Sequence, residues 1–145
     1  MSAKDYYKTH RNLYTKLNEV YFFTITVNNC QHLLQLEENK TIVVDSLRWL
    51  LQKGLVKISG YVIMPNHIHL MWEQLQMNGK EFPKNSFENF TAKLLFRNMK
   101  ENNDAALKNY EVAARDCQYN VWQRDPLAIK IFNRRWRRRS WITCI

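Results

Sequence analysis

The chain is poor in the residues that usually punctuate a fold. Three glycines and three prolines among 145 residues leave most turns to be read from polar clusters, and they exclude a Pro/Gly-rich linker. No internal repeat is present. Cysteine is equally sparse. Cys30, Cys117 and Cys144 are odd in number and widely spaced, which suggests neither a disulfide framework nor a Cys-based zinc site. No run approaches the roughly 18 apolar residues of a membrane span, and Met1-Ser2-Ala3-Lys4-Asp5 is not followed by an apolar stretch of signal-peptide type. A cytoplasmic protein with no membrane partner is expected.

What the chain does have is apolar content and positive charge. At 46% hydrophobic residues it can bury a core as one globular domain without disulfide or metal staples. The formal net charge of +9 points towards phosphate-bearing partners, because lysine and arginine displace counterions from nucleic acid. Five of those cations, Arg134, Arg135, Arg137, Arg138 and Arg139, crowd into the last twelve residues. The body is therefore only moderately basic, and charge alone does not name its partner.

The elements separate by periodicity. Val20 to Val27 is β-branched and aromatic and stops at Asn28-Asn29, as a first strand does. Thr41 to Lys53 spaces Ile42, Val43, Leu47, Leu50 and Leu51 near a helical period, with Gly54 placed for a left-handed cap. Leu55 to Met64 and His67 to Glu73 alternate as two strands joined by the turn residues Pro65-Asn66. Ser86 is positioned to cap a second helix reaching about Lys100, with Phe87, Phe90, Leu94, Leu95 and Met99 as its apolar stripe. Gln118 to Gln123 reads as a fourth strand, and Asp125-Pro126 as the start of a short helix. The order β-α-β-β-α-β predicts an α+β, ferredoxin-like sandwich with one antiparallel sheet covered by two helices.

The sharpest chemical feature is His67-Ile68-His69. Strand residues two apart share a face, so the two imidazoles lie side by side while Ile68 points into the packed layer. Paired imidazoles can hold a divalent metal; taken alone, however, such a tripeptide on a strand is more often two polar-face histidines making ordinary hydrogen bonds.

The longer string Tyr61-Val62-Ile63-Met64-Pro65-Asn66-His67-Ile68-His69-Leu70 resembles the signature of the REP-associated tyrosine transposases and their insertion-sequence-200-like relatives. Further matches lie at Ile42-Val43-Val44-Asp45-Ser46-Leu47 and at Val121-Trp122-Gln123-Arg124-Asp125-Pro126-Leu127, so the resemblance covers roughly residues 20 to 133. It implies an HUH domain over 1–133 in which His67 and His69 hold Mg2+ or Mn2+. It also implies a partner, single-stranded or hairpin DNA, and a reaction in which a tyrosine attacks a backbone phosphate to give a phosphotyrosine link. Lys93, Arg97 and Lys100 can share a helix face, either an ordinary solvated one or one that contacts phosphates; Trp122, Gln123 and Arg124 could offer an aromatic and a cation to a base, with core packing an equally good reading of Trp122. Asn66, inside the motif, joins them as a candidate DNA contact. Relatives include dimers that share tyrosine helices, so a homodimer is one expectation.

The chain departs from the family where the nucleophile belongs. Relatives carry a helix resembling L-D-Y-I-H-x-N-P after the last strand, whereas here no tyrosine follows Tyr119. Read one nucleotide earlier, Trp141-Ile142 gives Asp, and the codons around it permit L-D-Y-M-H. The expectation is that 134–145 is a basic tail in a shifted frame replacing the catalytic helix, with strand transfer impaired. Tyr110 and Tyr119 remain as substitute nucleophiles off the family position.

Overall fold

The computed structural model describes residues 15–102, 121–123 and 127–131. In it Val20–Thr26 forms β1, whose alternation sends Tyr21, Phe23 and Ile25 into the core and leaves Phe22, Thr24 and Thr26 half-exposed on the opposite face. The chain continues through α1 (Glu37–Gln52), β2 (Val56–Ile63), β3 (His67–Gln74), α2 (Pro83–Glu101) and β4 (Leu127–Lys130). The sheet order is β2-β3-β1-β4, and every neighbouring pair is antiparallel. This is the expected ferredoxin-like, α+β arrangement: β1 and β2 run in parallel with β3 between them, and β3 and β4 with β1 between them.

Both helices cover one face of the sheet. Val43, Leu47 and Leu50 of α1 and Phe87, Leu95 and Met99 of α2 join Phe23, Ile25, Ile68, Leu70 and Trp72 in a single buried cluster. Each of these larger side chains contributes about 1.5–3 kcal/mol by leaving water. Trp72 anchors the cluster, meeting Phe23 and Phe87 edge-on with ring centroids 5.9 and 6.3 Å away. A polar lock joins the helices beneath it: Asn98 donates to Asn39 Oδ1 at 2.8 Å, and fully buried Asn39 donates to the Leu33 carbonyl at 2.7 Å. Among the described residues no helix is long and apolar enough to cross a membrane.

Helix α1 ends as its sequence predicts. Gly54 has φ +68°, its N–H donates to the Leu51 carbonyl, and Leu55 N–H reaches back to the Leu50 carbonyl. That pair of bonds closes the helix with a residue that bears no Cβ penalty in the left-handed region. The start differs from expectation, because Glu37 to Lys40 already belong to α1, with Glu37 and Glu38 favourably placed against its positive end. Leu51 lies exposed rather than on the buried stripe, as does Phe90 on α2.

Ser86 does not cap α2. The helix begins three residues earlier at Pro83, and Gln74 satisfies its first turn by accepting the Lys84 N–H at 3.0 Å. Ser86 instead donates to Glu81 Oε2 at 2.9 Å. A proline at the helix start has no N–H needing a cap, so the signal lay in Pro83.

The end of the sheet also needs correction. Val121–Gln123 makes an isolated bridge, with Trp122 opposite Val27, Asn28 N–H donating to the Val121 carbonyl and Gln123 N–H to the Thr26 carbonyl. The laddered strand is Leu127–Lys130, pairing with Tyr21 to Thr24, where a short helix was expected after Asp125-Pro126. The outer edge of β1 presents backbone groups that need partners, and this tertiary demand outweighs the local helix signal of an N-terminal proline. Residues 118–120, Asp125 and Pro126 lie outside the described residues.

Candidate metal site on the sheet face opposite the helices

The face of the sheet away from the helices carries the histidine pair. Ile68 and Leu70 are fully buried between the sheet and the helices, so the strand's alternation turns His67 and His69 outward. The β2–β3 hairpin fixes His67 at the mouth of a two-residue turn, closed by Met64 N–H donating to the His67 carbonyl at 2.8 Å. The turn is itself tied down, its Asn66 carbonyl accepting from Val27 N–H and its Pro65 carbonyl from Leu34 N–H, both at 2.9 Å.

The two imidazoles converge. Their Nε2 atoms lie 3.2 Å apart and the rings meet edge to face at 4.7 Å. The outer nitrogens are engaged: His67 Nδ1 lies 2.7 Å from Asn66 Oδ1, and His69 Nδ1 lies 3.1 Å from Thr24 Oγ1. Register explains the second contact, since Thr24 of β1 stands directly opposite His69 of β3. Phe22 stacks on the His69 ring at 5.4 Å with an interplanar angle of 22°, fixing the plane in which the ring lies. Burial, and then the neighbouring His67, hold the His69 pKa below its ordinary 6.5, which favours the neutral, metal-binding form of the ring.

The donor set fits a divalent cation. Two nitrogens 3.2 Å apart can both reach one ion at the usual metal–imidazole distance of about 2.1 Å. Oxygen partners beside both Nδ1 atoms, each able to accept from an N–H, are what metal-bound histidines normally have. Among the described residues no third His, Cys, Asp or Glu joins them in a cluster. The nearest acid along the same strand face, Glu73, is four residues from His69, about 13 Å away at the rise of a β-strand.

The other expected site residues scatter. Asn66 is half-buried at the site, but as the partner of His67. Gln123 is exposed and bonded through its backbone to Thr26, which stands opposite His67. Lys93, Arg97 and Lys100 are exposed on α2, in the helical layer on the far side of the sheet, so they are not brought together with the histidines. Trp122 takes the core-packing alternative over base stacking: it is buried, and its indole N–H donates to Thr91 Oγ1 at 2.9 Å inside the core. Arg124, Tyr110, Tyr119 and the tail lie outside the described residues.

Thr24 and Phe22 were not singled out by the sequence. Both sit at outward positions of a strand whose neighbour could not be inferred from local pattern, and only the β1–β3 register makes them partners of His69.

No protein-family model matches the chain, and neither does any curated protein. Among solved structures the fold is similar to that of a REP-associated tyrosine transposase bound to a REP hairpin, with a TM-score of 0.54 and 18% identity over 88% of this chain. The match spans 64% of that protein's length. At this identity the likeness establishes the ferredoxin-like fold that carries the histidine pair.

Proposed function

We propose that this chain is a transposase-like DNA-binding protein that takes a divalent cation through His67 and His69 and holds single-stranded hairpin DNA against the sheet face opposite its helices. The observation that carries the reading is the convergence of two Nε2 atoms, each ring held from behind, on the face turned away from the two helices. The similar fold of a transposase bound to a DNA hairpin supports the choice of ligand. Bound there, Mg2+ or Mn2+ would polarise a backbone phosphate, and the imidazole donors favour manganese of the two.

The chain's own residues supply binding and orientation. His67 and His69 offer imidazole nitrogens, Asn66 and Thr24 hold the rings, and Phe22 stacks on His69. Strand transfer needs a nucleophile as well. The reading extends to a protein that binds a hairpin without rejoining it, if the arginine-rich segment 134–145 is a shifted-frame product of codons for a tyrosine helix. Nucleotide sequence across codons 133 to 145, with intact mass of the expressed protein, tests the shifted frame directly. An incoherent neighbouring frame would sink that part.

Binding and chemistry are tested together with a labelled hairpin oligonucleotide. Mn2+-dependent, salt-sensitive binding that weakens in His67→Ala supports the proposal. Binding by neither wild type nor variant overturns it. A covalent adduct resistant to denaturation would reinstate an active nucleophile, whereas its absence beside firm binding favours a non-catalytic DNA-binding module.

A further inference from the structure

We infer that Thr24 is a positioning residue that lets His69 exchange tautomers without moving, while Asn66 locks His67 in the metal-accepting tautomer. This rests on the metal reading of the histidine pair given above.

An amide oxygen only accepts, so the 2.7 Å contact between Asn66 Oδ1 and His67 Nδ1 puts the His67 proton on Nδ1 and leaves a lone pair on Nε2. That lone pair faces His69 Nε2 across 3.2 Å. Two lone pairs at this distance repel, so without a cation His69 carries its proton on Nε2 and donates it to His67. His69 Nδ1 is then an acceptor, and the Thr24 hydroxyl 3.1 Å away donates to it.

A cation between the rings needs both lone pairs. The Nε2 proton of His69 is then given up to solvent and one is taken up from solvent at Nδ1, leaving the ring neutral throughout. Thr24 Oγ1 now accepts what it formerly supplied. A hydroxyl is the smallest side-chain group able to play both parts at one position, by rotating its hydrogen alone. Phe22, stacked on the ring, keeps the imidazole from turning over as an alternative route. Valine, nearly the same shape, would satisfy neither state and would leave a half-buried Nδ1–H unpaired in the metal-bound one.

The test uses the full chain as wild type, Thr24→Ser and Thr24→Val. Long-range proton–nitrogen NMR of the metal-free wild type is expected to show His67 protonated on Nδ1 and His69 on Nε2, with both on Nδ1 after addition of Zn2+ as a diamagnetic probe. Mn2+ titration is expected to show Thr24→Val binding about 10–100-fold more weakly, with Thr24→Ser restoring wild-type affinity; a dispersed spectrum verifies that each variant is folded. Equal Mn2+ affinity of Thr24→Val and wild type overturns the inference, as does a metal-free wild type with His69 already protonated on Nδ1. Failure of the wild type to bind either metal is a different result, since it removes the metal reading itself and this inference with it.

Discussion

Trp122 and Thr91 are joined through the core, the indole N–H donating to the threonine hydroxyl across 2.9 Å while that hydroxyl donates to the Phe87 carbonyl at 2.7 Å. The contact ties the segment beside β1 to the middle of α2, with the Trp122 and Phe87 rings stacked 6.5 Å apart. A residue whose string resembles a DNA-binding family is in this fold a packing residue. Trp122→Phe should therefore cost about 1 kcal/mol of stability through the lost hydrogen bond, and Trp122→Ala about 3–5 kcal/mol. Urea denaturation reads both, and hairpin affinity of the folded Phe variant should match wild type; a selective loss of DNA binding would restore the tryptophan to the interface.

His67→Ala and His69→Ala should each weaken Mn2+ binding by more than the about 10–100-fold typical of losing an outer-shell partner. Neither ring belongs to the buried cluster, so thermal unfolding of the metal-free protein should change little. Calorimetric titration of Mn2+ into each variant checks the first statement, and undiminished affinity in either variant would contradict it.

The basic strip of α2 lies across the sheet from the histidines, which separates two kinds of contact. Replacing Lys93, Arg97 and Lys100 together by alanine should leave Mn2+ affinity unchanged. It should also alter the slope of log affinity against log salt by less than about 1, the change expected from losing even one phosphate contact. A larger flattening of the slope would mean that the DNA wraps onto the helical layer.

Glu88 sets a pH dependence of stability. Burial raises its pKa above the ordinary 4.5, opposed by Lys84, whose Nζ is 3.3 Å from Oε2, while Oε1 is buried with no hydrogen-bond partner. A raised carboxyl pKa means the folded state binds the proton more tightly than the unfolded one. The associated stability is fully present below 4.5 and lost as pH rises through the folded value. Glu88→Gln mimics the protonated form, so its urea midpoint relative to wild type should rise between pH 4 and pH 7, roughly the window above the unfolded carboxyl pKa. A difference that stays flat over that window would show that Lys84 fully compensates the burial.

Legibility in the sequence followed the range of the interactions. The β2–β3 hairpin, the Gly54 cap and the outward pairing of His67 with His69 depend on neighbours a few residues away, and each appears where the residue pattern puts it. The fourth strand did not, because Leu127-Ala128-Ile129-Lys130 becomes a strand only when the edge of β1 is available to it. Thr24 shows the same limit at the site: its place beside His69 is a matter of cross-strand register over 45 residues. Trp122 shows a further one, since a family string marks a position without saying which way its side chain points.

The slip in pairing between Ile58 and Gly60 bears on how this sheet meets other molecules. It leaves Ser59 as an extra residue in β2, the strand that forms one border of the sheet, opposite β4. Such a bulge bends and over-twists its strand, so the outward row of amides on β2 is split into two short runs. A free strand from another chain cannot zip along it in one continuous ladder. The same irregularity that disturbs the register towards β3 thus guards the sheet against growing sideways along β2.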